Sequence, residues 1–206
     1  MTISDIKNAQ LVYFFEKDGA WGPYHDQDAF LKFISPYGEE HLSAEKHRVQ
    51  TRSLPFYNDV NLLKISKVGE DDWGYAFFIE NGYEYAQLKG MHEVIQEVNS
   101  SGVLNLNEDT VYDYVKFFWL FSDDSSGENA RVIEGQNSEF VKNRSPYEQS
   151  RYLRKYSGAT VEKNEKLGHF IVTSRIWQNN AIYDSEYEVT FDGRVHIKNS
   201  KLVGTV

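Results

Sequence analysis

The run from Asp109 to Phe121, DTVYDYVKFFWLF, constrains this chain more than any other stretch. Asn107 just ahead of it is a good helix N-cap, and Glu108 and Asp109 suit the positive end of a helix dipole. At helical spacing Val111, Tyr114, Val115 and Phe118 make one face, while Tyr112, Phe117 and Trp119 lie well away from it. A helix that is apolar nearly all round has to be buried nearly all round. About fourteen residues at 1.5 Å each reach roughly 21 Å, too short to cross a bilayer. The run therefore reads as a core helix, with an oligomer interface as the alternative. Asp113 and Lys116, three residues apart, can pair at its wet edge.

Burying such a helix needs sheet around it, and strand signals are frequent. GYAFFIENGYEYAQLKG (Gly74–Gly90) sets apolar residues on both sides of Asn81-Gly82, a dipeptide suited to a type I′ hairpin turn; Tyr75, Phe77 and Ile79 alternate. AQLVYFFE (Ala9–Glu16) and DVNLLKISKVG (Asp59–Gly69) read as strands, and ARVIEG as a short one. The C-terminus reads as a meander. Phe170, Val172 and Ile176 share a face, and Tyr183, Tyr187, Val189 and Phe191 point inward opposite Asp184, Glu186 and Glu188. After an Asp192-Gly193 turn, Val195 and Ile197 continue the buried face. DQDAFLKFIS (Asp26–Ser35) predicts a helix with Phe30, Phe33 and Ile34 on one face; MHEVIQEVN predicts another, and HLSAEKHRVQTRS reads as weakly helical. SPYEQSRYLRKYSG (Ser145–Gly158) has the signature of a capping box with Pro146 in the first helical position. With no linker and no repeat, the expectation is one domain over 1–206. Its class is α+β: a largely antiparallel sheet of hairpins with a buried central helix (107–121) and a C-terminal β-meander.

Composition narrows the partners. The chain has 206 residues and no cysteine, which excludes disulfides, thiolate metal ligands and thiol catalysis and fits a reducing cytoplasm. Its 13 Phe, 14 Tyr and 4 Trp supply buried area, and the Tyr and Trp also carry polar tips suited to protein contact. Residues 59–135 hold fifteen acids against five bases, residues 136–206 eight acids against eleven bases, and the whole chain has a formal charge of -9. The acidic middle repels nucleic acid, and the simplest arrangement packs the basic C-terminal part against it. MTISDIKNAQLVYFFEKDG lacks the basic start, apolar core and small-residue cleavage site of a signal peptide, and no apolar stretch approaches a membrane span. The expected location is cytoplasmic.

Four stretches also occur in a familiar order: LPFYNDVNLLKI (Leu54–Ile65), LKGMHEVIQEVN (Leu88–Asn99), LNLNEDTVYDYVKFFWLF (Leu104–Phe121) and YEVTFDGRVHI (Tyr187–Ile197). Together they resemble a family of uncharacterised proteobacterial proteins, with Gln96 standing where that pattern has His. The resemblance implies a bacterial domain across roughly 54–197 and carries no activity with it.

No P-loop, GxGxxG, GxSxG or HExxH occurs, and none of His25, His41, His47, His92, His169 and His196 has metal-site spacing with another. Asp71-Asp72 and Asp123-Asp124 read as turn solvation. No cofactor and no metal is expected. Two stretches are binding candidates. GAWGPYHD (Gly19–Asp26) sets Trp21, Tyr24 and His25 in a Gly/Pro turn, as a recognition loop or as a lid over the core. Lys142–Lys155 carries five cations, among them Arg151, Arg154 and Lys155, interleaved with Tyr147 and Tyr152. The reading that follows is a non-catalytic domain that binds a protein partner or a second copy of itself, with no membrane role. The alternatives are a small hydrolase or transferase using His and Asp side chains in a pocket, and anion or nucleic-acid binding through the basic helix 142–155.

Overall fold

Ten strands among the described residues form two antiparallel sheets of five, and each sheet belongs to its own unit of the chain. The computed structural model describes residues 21–37, 41–69, 76–82, 84–88, 92–122, 131–135, 141, 144–179 and 181–205. The strand expected at Ala9–Glu16 and the acid pairs at 71–72 and 123–124 lie outside them. One unit comprises Met1–Leu54 and Asp59–Lys89; the other comprises Pro55–Asn58 and Gly90–Val206. The architecture is α+β with a C-terminal meander, as the sequence indicates.

The first unit orders β1 (Gly22–Pro23), β2 (His47–Ser53), β3 (Val60–Lys67), β4 (Ala76–Asn81) and β5 (Glu84–Gln87) in sequence. Helix α1 (Gln27–Ile34) covers one face, where Phe30, Leu31 and Ile34 pack on Val49, Leu63, Ile65, Ala76 and Phe78. Phe33, expected on that apolar face, is 52% exposed instead, because Leu31 takes the buried position. The segment read as weakly helical supplies β2: His47 and Val49 alternate inward while Arg48, Gln50 and Arg52 share the opposite face. Its polarity hid a period of two. The β4–β5 pairing closes on Asn81 opposite Glu84, one residue later than a turn centred on Asn81-Gly82, with Gly82 at φ 65°.

The second unit orders β10 (Val195–Thr205), β9 (Ala181–Thr190) and β8 (His169–Gln178), with β6 (Arg131–Ile133) and β7 (Thr160–Asn164) sharing the far edge of β8. Its helices are α2 (His92–Val98), α3 (Val111–Phe121) and α4 (Pro146–Tyr152). Asn107 caps the turn that leads into α3, its Oδ1 accepting from the N–H groups of Asp109 (2.9 Å) and Thr110 (3.1 Å). Helix α3 is buried on nearly all sides: Val111, Tyr114, Val115 and Phe117 are fully enclosed, and Trp119 stacks on Tyr187 of β9 at 5.7 Å. Phe56 and Tyr57 complete this core against Tyr114 and Phe117. Even Lys116 is buried. It reaches Asp113 (2.6 Å), the expected pair, and also Glu134 (2.9 Å) just past β6. Burial alone would lower the Lys116 ammonium, but the two carboxylates reverse that and raise its pKa. Among the described residues no helix is long and apolar enough to cross a membrane.

Candidate functional site

Trp21 and Tyr24 do not share a surface. Trp21 packs on Phe77 (6.3 Å) beneath the Lys64 ammonium (4.6 Å), whereas Tyr24 sits edge-on to Phe30 (5.9 Å) in the cluster around Phe78. Phe77 and Phe78 are successive residues of β4 and so point to opposite faces. Tyr24 Oη donates to Glu80 and lies 3.1 Å from Tyr85 Oη; burial first, then the Glu80 carboxylate, raises its pKa. His25 is exposed. The Gly/Pro turn is thus tied into the first unit's sheet by two rings on two faces.

The basic helix carries both hydrogen bonds of its capping box: Glu148 N–H donates to Ser145 Oγ and Ser145 N–H donates to Glu148 Oε2. The regular helix stops at Tyr152, earlier than expected, and Lys155 turns the chain at φ 57°. Arg175 of β8, 1% exposed, anchors its end. Its Nη1 donates to the Tyr152 (2.7 Å) and Arg154 (3.0 Å) carbonyls, and its Nε and Nη2 grip both oxygens of Asp184 (2.7 and 2.8 Å). A cation at a helix C-terminus satisfies carbonyls that the helix cannot. Arg175 and Asp184, the ion pair at this anchor, both belong to the basic C-terminal third. Tyr152 is buried with Ile133, Val141 and Ile182, while Arg151, Arg154 and Lys155 stay exposed.

A chain of buried hydrogen bonds ties the second unit together. Tyr57 Oη donates to Asn99 Oδ1 (2.7 Å), Asn99 Nδ2 donates to Tyr114 Oη (2.8 Å), and Tyr114 Oη donates to the Gly193 carbonyl (2.6 Å). Gln96 Nε2 donates to the same carbonyl (2.9 Å). The four stretches that carry the sequence resemblance each contribute a residue here. Every group in this network is satisfied only when all four segments meet.

Strand β10 is the outer strand of its sheet, and among the described residues nothing pairs with its outer edge. It is eleven residues long and exposed along most of its length. Ile197 (49% exposed) and Leu202 (55% exposed) are the apolar side chains it presents. The alternation placed Ile197 on the correct face, level with the enclosed Tyr187, but at the sheet edge that face is uncovered. Of the tyrosines, Tyr57, Tyr114, Tyr152 and Tyr187 fill the core. On the other face β10 carries His196, Lys198 and Lys201, and the Arg151 guanidinium lies beside Gly204. Sequence reasoning missed this edge, because alternation assigns faces and not the position of a strand in its sheet.

The histidines are scattered. His92 lies 3.5 Å from Glu93, both exposed; buried His169 lies 3.8 Å from Glu188. His41 borders a depression of about 500 Å³ lined by Asp28, Lys32 and Ser35, with Ser35 Oγ 3.5 Å from its Nδ1. Among the described residues no three of His, Asp and Glu converge as metal ligands would. Comparison with protein-family models, with curated proteins and with solved structures finds no match.

Proposed function

We propose that the protein is a non-catalytic interaction domain that engages a protein partner through the outer edge of β10. The observation that supports this most is a strand of eleven residues whose outer edge pairs with nothing among the described residues and which holds Ile197 and Leu202 half exposed. An unpaired edge offers a row of backbone donors and acceptors, which is the means by which extended segments add to sheets. The test is affinity capture from the native host with the full chain and with an Ile197→Lys/Leu202→Lys variant. A protein retained by the first and lost by the second is the expected result. An unchanged set of captured proteins would remove the edge from consideration.

A second reading, anion or nucleic-acid binding, is favoured by the exposure of Arg151, Arg154 and Lys155. Three phosphate contacts would produce binding at low salt that falls steeply with added salt. Anisotropy with single-stranded DNA, compared with the triple alanine variant, separates this reading from the first.

A further inference from the structure

We infer that the occupant of the β10 edge is an extended peptide segment whose residues alternate acidic and apolar. This rests on the interaction reading above and names the partner's chemistry. Strand β9, which already occupies the inner edge, displays what β10 pairs with. It carries three acids and no base, on alternate positions: Asp184, Glu186 and Glu188. Facing them, β10 carries two lysines and a histidine and no acid. On the opposite face Tyr183 and Tyr187 stand level with Leu202 and Ile197.

Each lysine of β10 thus has an acidic strand on one flank and, among the described residues, no strand on the other. Lys198 Nζ reaches Glu186 at only 3.5 Å, with its side chain 53% exposed. Lys201 stands opposite Asp184, whose two oxygens are already held by Arg175, and among the described residues it forms no ion pair. Arg151 beside Gly204 adds a third cation at the far end of the strand. A new strand with acids on this face and apolar residues on the other would repeat the β9 pattern, neutralising the lysines and covering Ile197 and Leu202.

A second copy fits less well. Pairing β10 with another β10 would set two acid-free, lysine-bearing strands side by side, and like charges across a ladder are destabilising. The strand also carries bulges between Ile197 and Asn199 and between Leu202 and Gly204. Bulges and lysines are devices by which edges resist pairing with their own kind. Between the bulges, Asn199–Leu202 keeps a regular register, and there the ladder with an acidic strand would centre.

The experiment is fluorescence anisotropy on the full chain with a labelled heptapeptide alternating Glu and Val. Comparators are a Lys/Val alternation, a peptide of the same Glu/Val composition arranged in blocks, and a single-stranded DNA heptamer. The alternating Glu/Val peptide is expected to bind at least tenfold tighter than each comparator. Lys198→Gln/Lys201→Gln is expected to weaken it at least fivefold, and amide exchange is expected to slow across Asn199–Leu202 on binding. No binding, equal binding of the block peptide, tighter binding of DNA, or protection confined to other strands would each overturn the inference. The two readings fail separately. A captured partner lost with the Ile197→Lys/Leu202→Lys variant, with no preference for the alternating peptide, keeps the edge and removes the acidic class. A captured set unchanged by that variant removes both.

Discussion

Gly193 shows how much one residue can carry. Its φ of 83° favours glycine, and the Asp192-Gly193 turn is legible from that dipeptide alone. Its surroundings are not. A Cβ on Gly193 would lie 2.4 Å from Asn99 Nδ2, 2.7 Å from Leu104 Cδ2 and 2.8 Å from Tyr114 Oη. Gly102 has nearly the same φ, 81°, with nothing within 4 Å of such a Cβ. The pair separates backbone strain from steric conflict. Gly102→Ala should cost about 1–2 kcal/mol, the penalty for an L-residue in the left-handed region. Gly193→Ala must also push apart a buried hydrogen-bonded network and should cost at least about 2 kcal/mol more. Denaturant melts of the two variants measure the difference; equal losses would mean that the network yields freely around the turn. The sequence places a glycine in a turn, but only the fold brings the turn against Asn99 and Tyr114.

At the scale of elements, helix α4 depends on a residue that its own sequence does not announce. Its capping box was readable because both partners lie within three residues. Its anchor, Arg175, sits on β8 at a position that alternation assigns to the face opposite Phe170, Val172 and Ile176, where a polar side chain reads as solvated. In the fold that face is closed by α4 itself, so the arginine is buried and stacks on Tyr156 at 4.9 Å. Arg175→Met keeps the volume but leaves the Tyr152 and Arg154 carbonyls without this donor. The expected loss is about 2–4 kcal/mol, because Asp184 is half exposed and can return to water while the carbonyls are less able to. Amide exchange localises the effect: α4 should lose protection before β8 and β9 do, and uniform loss across the unit would refute the anchor role. The same limit explains β2 and β10. A period of two assigns faces, but it does not say which strand is central and which is an edge. Val49 sits among partners on both sides, whereas Ile197 is left in the open.

At the scale of the whole molecule, the chain does not pass from one unit to the next only once. It leaves the first after Leu54, lends Pro55–Asn58 to the second, and returns at Asp59. The sequence expectation of one uninterrupted domain came from the absence of a linker, and at Leu54–Pro55 and Asn58–Asp59 the chain changes unit between successive residues. A fragment of residues 90–206 would lack Phe56 and Tyr57, hence the Tyr57–Asn99 hydrogen bond and two rings against Tyr114 and Phe117. It should melt without a cooperative transition; cooperative unfolding at the full chain's temperature would show those four residues to be dispensable. A second whole-molecule consequence lies at alkaline pH. Burial pushes the phenols of Tyr57, Tyr112 and Tyr114 well up and that of Tyr187 up to about 12, while Lys116 is raised by its two carboxylates against its own burial. For every one of these groups the folded protein holds its proton to a higher pH than the unfolded chain does. Their contribution is therefore complete below about pH 10, where unfolded tyrosine and lysine ionise, and is lost as pH rises through the folded values. Each group that differs in protonation removes about 1.4 kcal/mol per pH unit in that window. A titration following tyrosinate absorbance beside far-ultraviolet circular dichroism should divide the 14 tyrosines into two sets. The buried ones, Tyr57, Tyr112, Tyr114 and Tyr187, should ionise together, in a single step that coincides with loss of secondary structure, while any tyrosine open to water ionises earlier with the fold intact. If all of them titrated near pH 10 with an unchanged circular dichroism signal, the tyrosines placed in the core would have to be open to water.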